Sequence, residues 1–170
     1  MELLEEYTPD HEKFSIDEIF LDMTSTIHLF GSPLEVANEI RERIRKDLGF
    51  TVNIGISTNK LLAKMASDFE KPDKCHTLFP REVADKMWPL PIRELFFVGG
   101  AAQRKWKTWG CIPSDSWHAA TWRCLSPTWA RSMLSHPTDA NGIDDDPVAE
   151  KEPVNKAYGN SITLSRDISD

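Results

Sequence analysis

The chain has 170 residues, of which 40% are hydrophobic and 28% are charged, and its net charge is −7 at neutral pH. This balance is typical of ordinary globular material, enough for one good core or two small ones. No apolar run is long enough to cross a bilayer, and residues 1–6 lack the basic, apolar plan of a signal peptide. We therefore expect a cytoplasmic protein without a membrane partner, whose three cysteines are reduced thiols.

The charge is unevenly distributed along the chain. Residues 56–107 carry ten bases and six acids, a net charge of +4, whereas residues 1–55 carry −7 and residues 108–170 carry −4. A basic section inside an acidic chain fits contact with nucleic acid over one region, and it fits an ordinary mixed-charge surface as well.

Two adjacent acids, Asp17 and Glu18, open a run of strand-forming residues in the stretch FSIDEIFLD at 14–22. Two carboxylates on a rigid element can bind Mg²⁺, which prefers oxygen ligands and substrate phosphates. The competing interpretation is a solvated turn whose acids simply stay in water. Because neighbouring residues of a regular strand face opposite sides, a shared metal site requires a bend or bulge at these two positions.

A helix is predicted after this strand. Ser32 suits the cap, Pro33 the first helical position, and Glu35 completes a capping box, while Gly49 stops the helix. Apolar residues at helical spacing predict its buried stripe. The stripe consists of Ala37, Ile40, Ile44 and Leu48.

Alternation over residues 51–57 predicts a second strand, and Asn59 can cap a second helix that ends at Lys71-Pro72. Lys60 and Lys64 share one face of this helix within the basic section, and we predict that they contact DNA. The inner stripe of the helix is Leu62, Met65, Ala66 and Phe69. A short strand at 75–79 follows. The order strand, helix, strand, helix, strand predicts an α+β layer in which a mixed sheet flanked by helices carries the acids.

Composition changes at Pro80, after which residues 81–88 favour a helix. Residues 92–112 favour a short helix, a Gly99-Gly100 turn and a second helix. Arg104 and Lys105 lie beside this turn, a plan that can offer backbone N–H groups to a phosphate backbone. An ordinary helical hairpin explains the same pattern. Residues 113–138 favour a helical core, residues 139–152 an exposed linker, and residues 158–164 a new strand.

Three blocks together resemble the Y-family (translesion) DNA polymerases of the DinB and UmuC type. The blocks are FSIDEIFLDMT at 14–24, NIGISTNKLLAKMASDFEKPDK at 53–74, and NGIDDDPV at 141–148 with YGNSITL at 158–164. The resemblance implies the C-terminal part of a palm at 1–79, a small all-helical thumb with a helix-hairpin-helix at 80–138, a linker at 139–152 and the first strand of a little-finger domain at 153–170.

The resemblance also implies roles for residues. Asp17 and Glu18 match two of the three metal-binding carboxylates of the family, with Mg²⁺ or Mn²⁺ as cofactor, and Lys71 matches the lysine that contacts the triphosphate of the incoming nucleotide. In the thumb, the hairpin implies DNA contacts. They are Val98, Gly99, Gly100, Arg104 and Lys105. Asp73-Lys74 stands where the family has Asn-Gly, and we expect only the turn to differ.

The expected task is DNA-directed DNA synthesis by two-metal phosphoryl transfer in DNA repair, damage tolerance and the SOS response. Partners would be primer-template DNA, a deoxynucleoside triphosphate and, through regions absent here, a sliding clamp. The family's first palm strand, with its third acid, and its fingers would precede residue 1, so we expect an N-terminally truncated chain. Two alternatives are a non-catalytic DNA-binding fragment and a palm-type nucleotide cyclase, although a cyclase has no reason to carry the thumb and linker blocks.

Overall fold

The computed structural model describes residues 2–90 and 142–148. Its helices are α1 (Glu2–Glu5), α2 (Pro33–Leu48) and α3 (Lys60–Ser67). Its strands are β1 (His11–Lys13), β2 (Ile19–Leu21), β3 (Ile54–Ile56) and β4 (Cys75–Thr77). Short 3₁₀ turns occupy Ile27–Leu29 and Pro80–Glu82, and one π-helical segment occupies Val83–Met87.

The strands form two pairs. β1 and β2 are antiparallel, with Glu12 opposite Phe20, whereas β3 and β4 are parallel, with Gly55 opposite His76. The predicted order of strands and helices from β2 to β4 is confirmed, and so is the mixed character of the strand pairing. The prediction of one sheet differs from the described residues, which hold two separate two-stranded sheets.

Helix α2 begins and ends where the sequence predicts. The Ser32 hydroxyl accepts from the Glu35 N–H, the Glu35 carboxylate accepts from the Ser32 N–H at 2.9 Å, and Gly49 ends the helix at a φ of 77°. Such a left-handed conformation favours glycine. The predicted stripe is confirmed at Ala37, Ile40 and Ile44, which are buried. The prediction was wrong for Leu48, which is 55% exposed, and it missed Val36, which is buried in the first turn.

Helix α3 packs directly against β3. A Cβ atom at Gly55 would lie 1.8 Å from the carbonyl oxygen of Ala63 and 2.5 Å from the backbone nitrogen of Ser67. The absence of a side chain at this position is therefore what lets the helix and the strand approach. The predicted stripe is confirmed at Leu62, Met65 and Ala66, and Leu61, which was not predicted, is buried as well. The prediction was wrong for Phe69, which is only partly buried and lies beyond the end of the helix.

The predicted end of α3 at Lys71-Pro72 was wrong. The helix ends at Ser67, because the N–H of Asp68 turns back to the carbonyl of Met65 and the N–H of Phe69 to that of Ala66. Such three-residue bonds tighten a last turn and stop the helix before any proline is needed.

Two buried groups lie around the β3–β4 pair, which both α2 and α3 contact. One cluster joins α2 to Tyr7, which is 2% exposed and stacks obliquely on Phe30. Further buried residues are those of α3 together with Leu78, Val83 and Met87. None of the helices in residues 2–90 and 142–148 has the length and apolar character that a bilayer crossing demands.

The prediction of an exposed linker at 139–152 needs correction at Gly142 and Asp144, whereas Ile143 and residues 145–147 are exposed as expected. Gly142 is buried against the Leu62 side chain, and its carbonyl accepts from the Asn59 amide at 2.8 Å. The Asp144 carboxylate accepts from the Leu61 N–H at 3.0 Å. This segment docks because the start of α3 leaves backbone N–H groups that need acceptors.

Candidate active site

The acids lie on a β-hairpin rather than within one strand. Residues 14–18 connect β1 to β2, and the N–H groups of Phe14 and Ser15 both donate to the Glu18 carbonyl, at 3.0 and 3.2 Å. The chain thus bends at 15–17, as a shared site for Asp17 and Glu18 requires. Sequence reasoning missed β1, because His-Glu-Lys has no apolar alternation.

Asp17 stands on the exposed loop of this hairpin. The Ser15 hydroxyl donates to its Oδ1 at 2.9 Å. Between them, Ile16 is 97% exposed. The local hydrogen bond orients the Asp17 carboxylate while leaving it accessible from solvent.

Glu18 is half-buried and meets helix α3. Its Oε1 forms a short ion pair with Lys64 Nζ, and the same ammonium lies 3.1 Å from Asp68 Oδ2. Asp68 Oδ1 in turn lies 2.7 Å from Lys71 Nζ. We call Glu18, Lys64, Asp68 and Lys71 the charge chain, because opposite charges alternate along it. It brings a predicted metal ligand and the predicted nucleotide-binding lysine into one network.

The two central groups of the charge chain keep their charges at neutral pH. Burial is the largest influence on the pKa of Lys64 and lowers it, but Glu18 and Asp68 together raise it above its usual value. Burial likewise raises the pKa of Asp68, and the hydrogen bonds and charges of Lys71 and Lys64 outweigh it, so that this pKa is lowered. The pairing therefore outweighs the desolvation of both groups.

A second lysine of α3 holds the other strand of the hairpin. Lys60 Nζ lies 3.0 Å from Glu12 Oε2 and 5.9 Å from the centre of the Phe20 ring. Lys60 and Lys64, the predicted DNA contacts, are thus engaged with acids of the hairpin, and DNA binding by them stays a prediction. Glu12 and Asp68 were missed in the sequence. For Asp68 a signal exists, since it follows Lys64 by four residues.

The turn that carries Lys71 is tied to α2. Asp73 has a φ of 60°, a conformation that Asp and Asn tolerate better than most residues. Arg41 donates to its carbonyl at 2.9 Å and lies 3.1 Å from its carboxylate. Asp73 thus forms an ion pair with Arg41 at this turn.

The donor set at the hairpin suits a hard divalent cation. Asp17 and Glu18 offer carboxylate oxygens, which Mg²⁺ and Mn²⁺ prefer. Within the part of the chain that the structure describes, no three His, Cys, Asp or Glu side chains come together as a metal-binding group. Two protein carboxylates with substrate phosphates as further ligands are sufficient for a magnesium site.

Several predicted site residues lie outside the described residues. They are Val98, Gly99, Gly100, Arg104 and Lys105. The same holds for most of the predicted thumb and for the predicted little-finger strand at 153–170.

Comparisons with known proteins agree on one class, the Y-family DNA polymerases. Residues 1–68 match the impB/mucB/samB family. The solved structures of a Y-family DNA polymerase chimera, Dbh-Dpo4(243-245)-Dbh, and of an insertion ternary complex of Dbh DNA polymerase are similar to this chain. The TM-scores are 0.74 and 0.70, the identities 26% and 27%, and the alignments cover 90% and 87% of this chain and 45% and 44% of those chains.

Among curated relatives, DNA polymerase IV of Clostridium acetobutylicum is 43% identical over 100% of this chain and 43% of its own length. The resemblance seen in the sequence is therefore confirmed: this chain is similar to the Y-family polymerases and has a palm-like fold. It spans less than half the length of the relatives and solved structures named here.

Proposed function

We propose that this chain is the palm-to-little-finger portion of a translesion DNA polymerase that adds deoxynucleotides to a primer 3′ end. Residues 1–79 would be the C-terminal part of the palm, 80–138 the thumb with its helix-hairpin-helix, 139–152 the linker and 153–170 the start of the little finger. The observation that carries the proposal is the charge chain, which links a carboxylate of the acidic hairpin to Lys71.

Asp17 and Glu18 are the proposed metal ligands. A bound Mg²⁺ or Mn²⁺ would supply Lewis-acid activation of the primer hydroxyl and neutralise charge on the leaving pyrophosphate. Ser15 of the hairpin orients Asp17, and Lys64 of α3 orients Glu18. Both carboxylates thus start from defined positions before substrate arrives.

Lys71 is the proposed ligand for the triphosphate of the incoming nucleotide. Its side chain is 59% exposed, and its ammonium is a point charge suited to phosphates. Because Asp68 and Lys64 link Lys71 to Glu18, we expect the triphosphate to bind close to the metal ligands. The similarity to an insertion ternary complex of a DNA polymerase supports a role in DNA synthesis. The predicted DNA contacts of the thumb would hold the duplex backbone through N–H groups and bases.

Primer extension tests this proposal. The 170-residue chain is assayed with Mg²⁺ or Mn²⁺ beside Asp17→Ala and Glu18→Ala, with Asp85→Ala as a control that removes an exposed acid elsewhere. We expect extension by the parent chain and the control. In the two site variants it should fall by roughly 10²-fold or more, the scale of losing one group that stabilises transition-state charge.

Lys71→Ala should raise the apparent KM for the nucleotide, because a phosphate contact is lost. If every version lacks extension yet binds DNA with a steep salt dependence, the enzyme proposal is wrong and the non-catalytic DNA-binding alternative replaces it.

A further inference from the structure

The two lysines of α3 that face the hairpin are in different situations. Lys60 and Lys64 are one helical turn apart, and each forms an ion pair with a hairpin acid, Glu12 or Glu18. Lys64, however, also reaches Asp68 on its own helix at 3.1 Å. It therefore has an acid on either side, one on the hairpin and one on α3.

A cation thus already lies against the carboxylate of Glu18. The Lys64 side chain is 13% exposed, so its charge is only partly screened by water at this position. A divalent ion bound to the same carboxylate would face a like charge at close range, which is unfavourable. Metal binding at Glu18 consequently requires the ammonium of Lys64 to withdraw.

Asp68 offers the ammonium a place to go. Its carboxylate is within ion-pair distance of Lys64 before any movement, so the lysine can exchange Glu18 for Asp68 by a rotation of its flexible side chain. No unpaired buried charge results from this exchange, which keeps its cost low.

We propose that Lys64 is a positioning residue that occupies the cation position beside Glu18 in the metal-free protein and moves to Asp68 when a divalent ion binds. The inference rests on the proposed role of Glu18 as a metal ligand. It assigns to Lys64 a competition with the metal, a role distinct from the DNA contact predicted from the sequence. Lys60, whose partner Glu12 is not a proposed ligand, has no such role.

Binding of Mn²⁺ alone, measured by the electron paramagnetic resonance signal of the free ion, tests this without catalysis. For the full chain with Lys64→Gln we expect affinity about threefold to tenfold higher than for the parent, the scale for removing one partly screened like charge. Lys64→Arg keeps the charge and should match the parent. Lys60→Gln is the matched control, because it breaks the neighbouring ion pair, and it should leave the affinity unchanged.

Lys64→Met keeps an aliphatic side chain at this position and should show the same gain in Mn²⁺ affinity. It replaces Lys64→Gln in the measurement if circular dichroism shows that Lys64→Gln is unfolded. Unchanged or weaker Mn²⁺ binding in the folded neutral variants would overturn the inference, and so would an equal gain in Lys60→Gln. Insensitivity of the gain to an added Glu18→Gln would also overturn it. A gain that depends on Glu18, without any primer extension, would leave this inference standing while the polymerase proposal fails.

Discussion

Replacing Gly55 by alanine should destabilise the protein more than the same replacement at any other glycine in the described part of the chain. The new Cβ would lie 1.8 Å from the Ala63 carbonyl oxygen and 2.5 Å from the Ser67 nitrogen, both backbone atoms of α3. Backbone atoms cannot swing aside as a side chain can, so α3 must separate from β3. We expect a loss of about 3 kcal/mol or more in the free energy of unfolding, the upper end for overpacking.

Urea unfolding followed by far-ultraviolet circular dichroism measures this loss, with Gly49→Ala as the control. Gly49 has a φ of 77° but nothing within 4 Å of an added Cβ. Its replacement should cost only the left-handed strain, roughly 1–2 kcal/mol. A smaller loss for Gly55→Ala than for Gly49→Ala would refute the argument that contact between α3 and β3 limits this position.

Three further outcomes are expected from the same unfolding measurement. Asp144→Ala removes the acceptor of the Leu61 N–H and should lower the free energy of unfolding by about 1 kcal/mol. Asp145→Ala removes an exposed neighbouring acid and should leave the stability almost unchanged. Equal effects of the two substitutions would contradict the docking of Asp144 on α3. Burial raises the pKa of Asp68, but two lysines lower it overall, so its stabilisation is present above the unfolded pKa of about 4 and is lost as pH falls. Asp68→Asn should therefore make the free energy of unfolding fall less steeply as the pH is lowered. If the variant loses stability in acid as the parent does, Asp68 makes no such contribution. Ser32→Ala should cost about 1 kcal/mol through the capping box of α2, and a neutral result would show that the box does not stabilise the helix.

Local chemistry made both ends of α2 and the start of α3 predictable. Ser32, Glu35 and Gly49 act within a few residues of their partners, so the sequence contains both ends of α2. The N-cap Asn59 of α3 is predictable for the same reason. Strand β1 was missed, because its three residues become a strand only by pairing with β2 across the hairpin.

The candidate site was only partly predictable. The acids Asp17 and Glu18 are adjacent in the sequence, and their need for a bend could be foreseen from strand geometry. The ion pair of Glu18 with Lys64 joins residues 46 positions apart, and no periodicity signals such a contact. The docking of Asp144 on α3 was missed because an acid-rich stretch with prolines is more often solvated.

The segment at 142–148 has a consequence for the order of folding. Its hydrogen bonds to Asn59 and Leu61 join residues 83 positions apart, whereas the Asn59 cap of the same helix spans three. Closing so long a loop costs more chain entropy than forming a local cap. The contacts of residues 142–148 with α3 should therefore form after the contacts between nearby residues. We therefore expect kinetic φ-values near zero at Asp144 and higher values at Asn59. Helix α3 would then form early through its local cap, and residues 142–148 would dock on it afterwards.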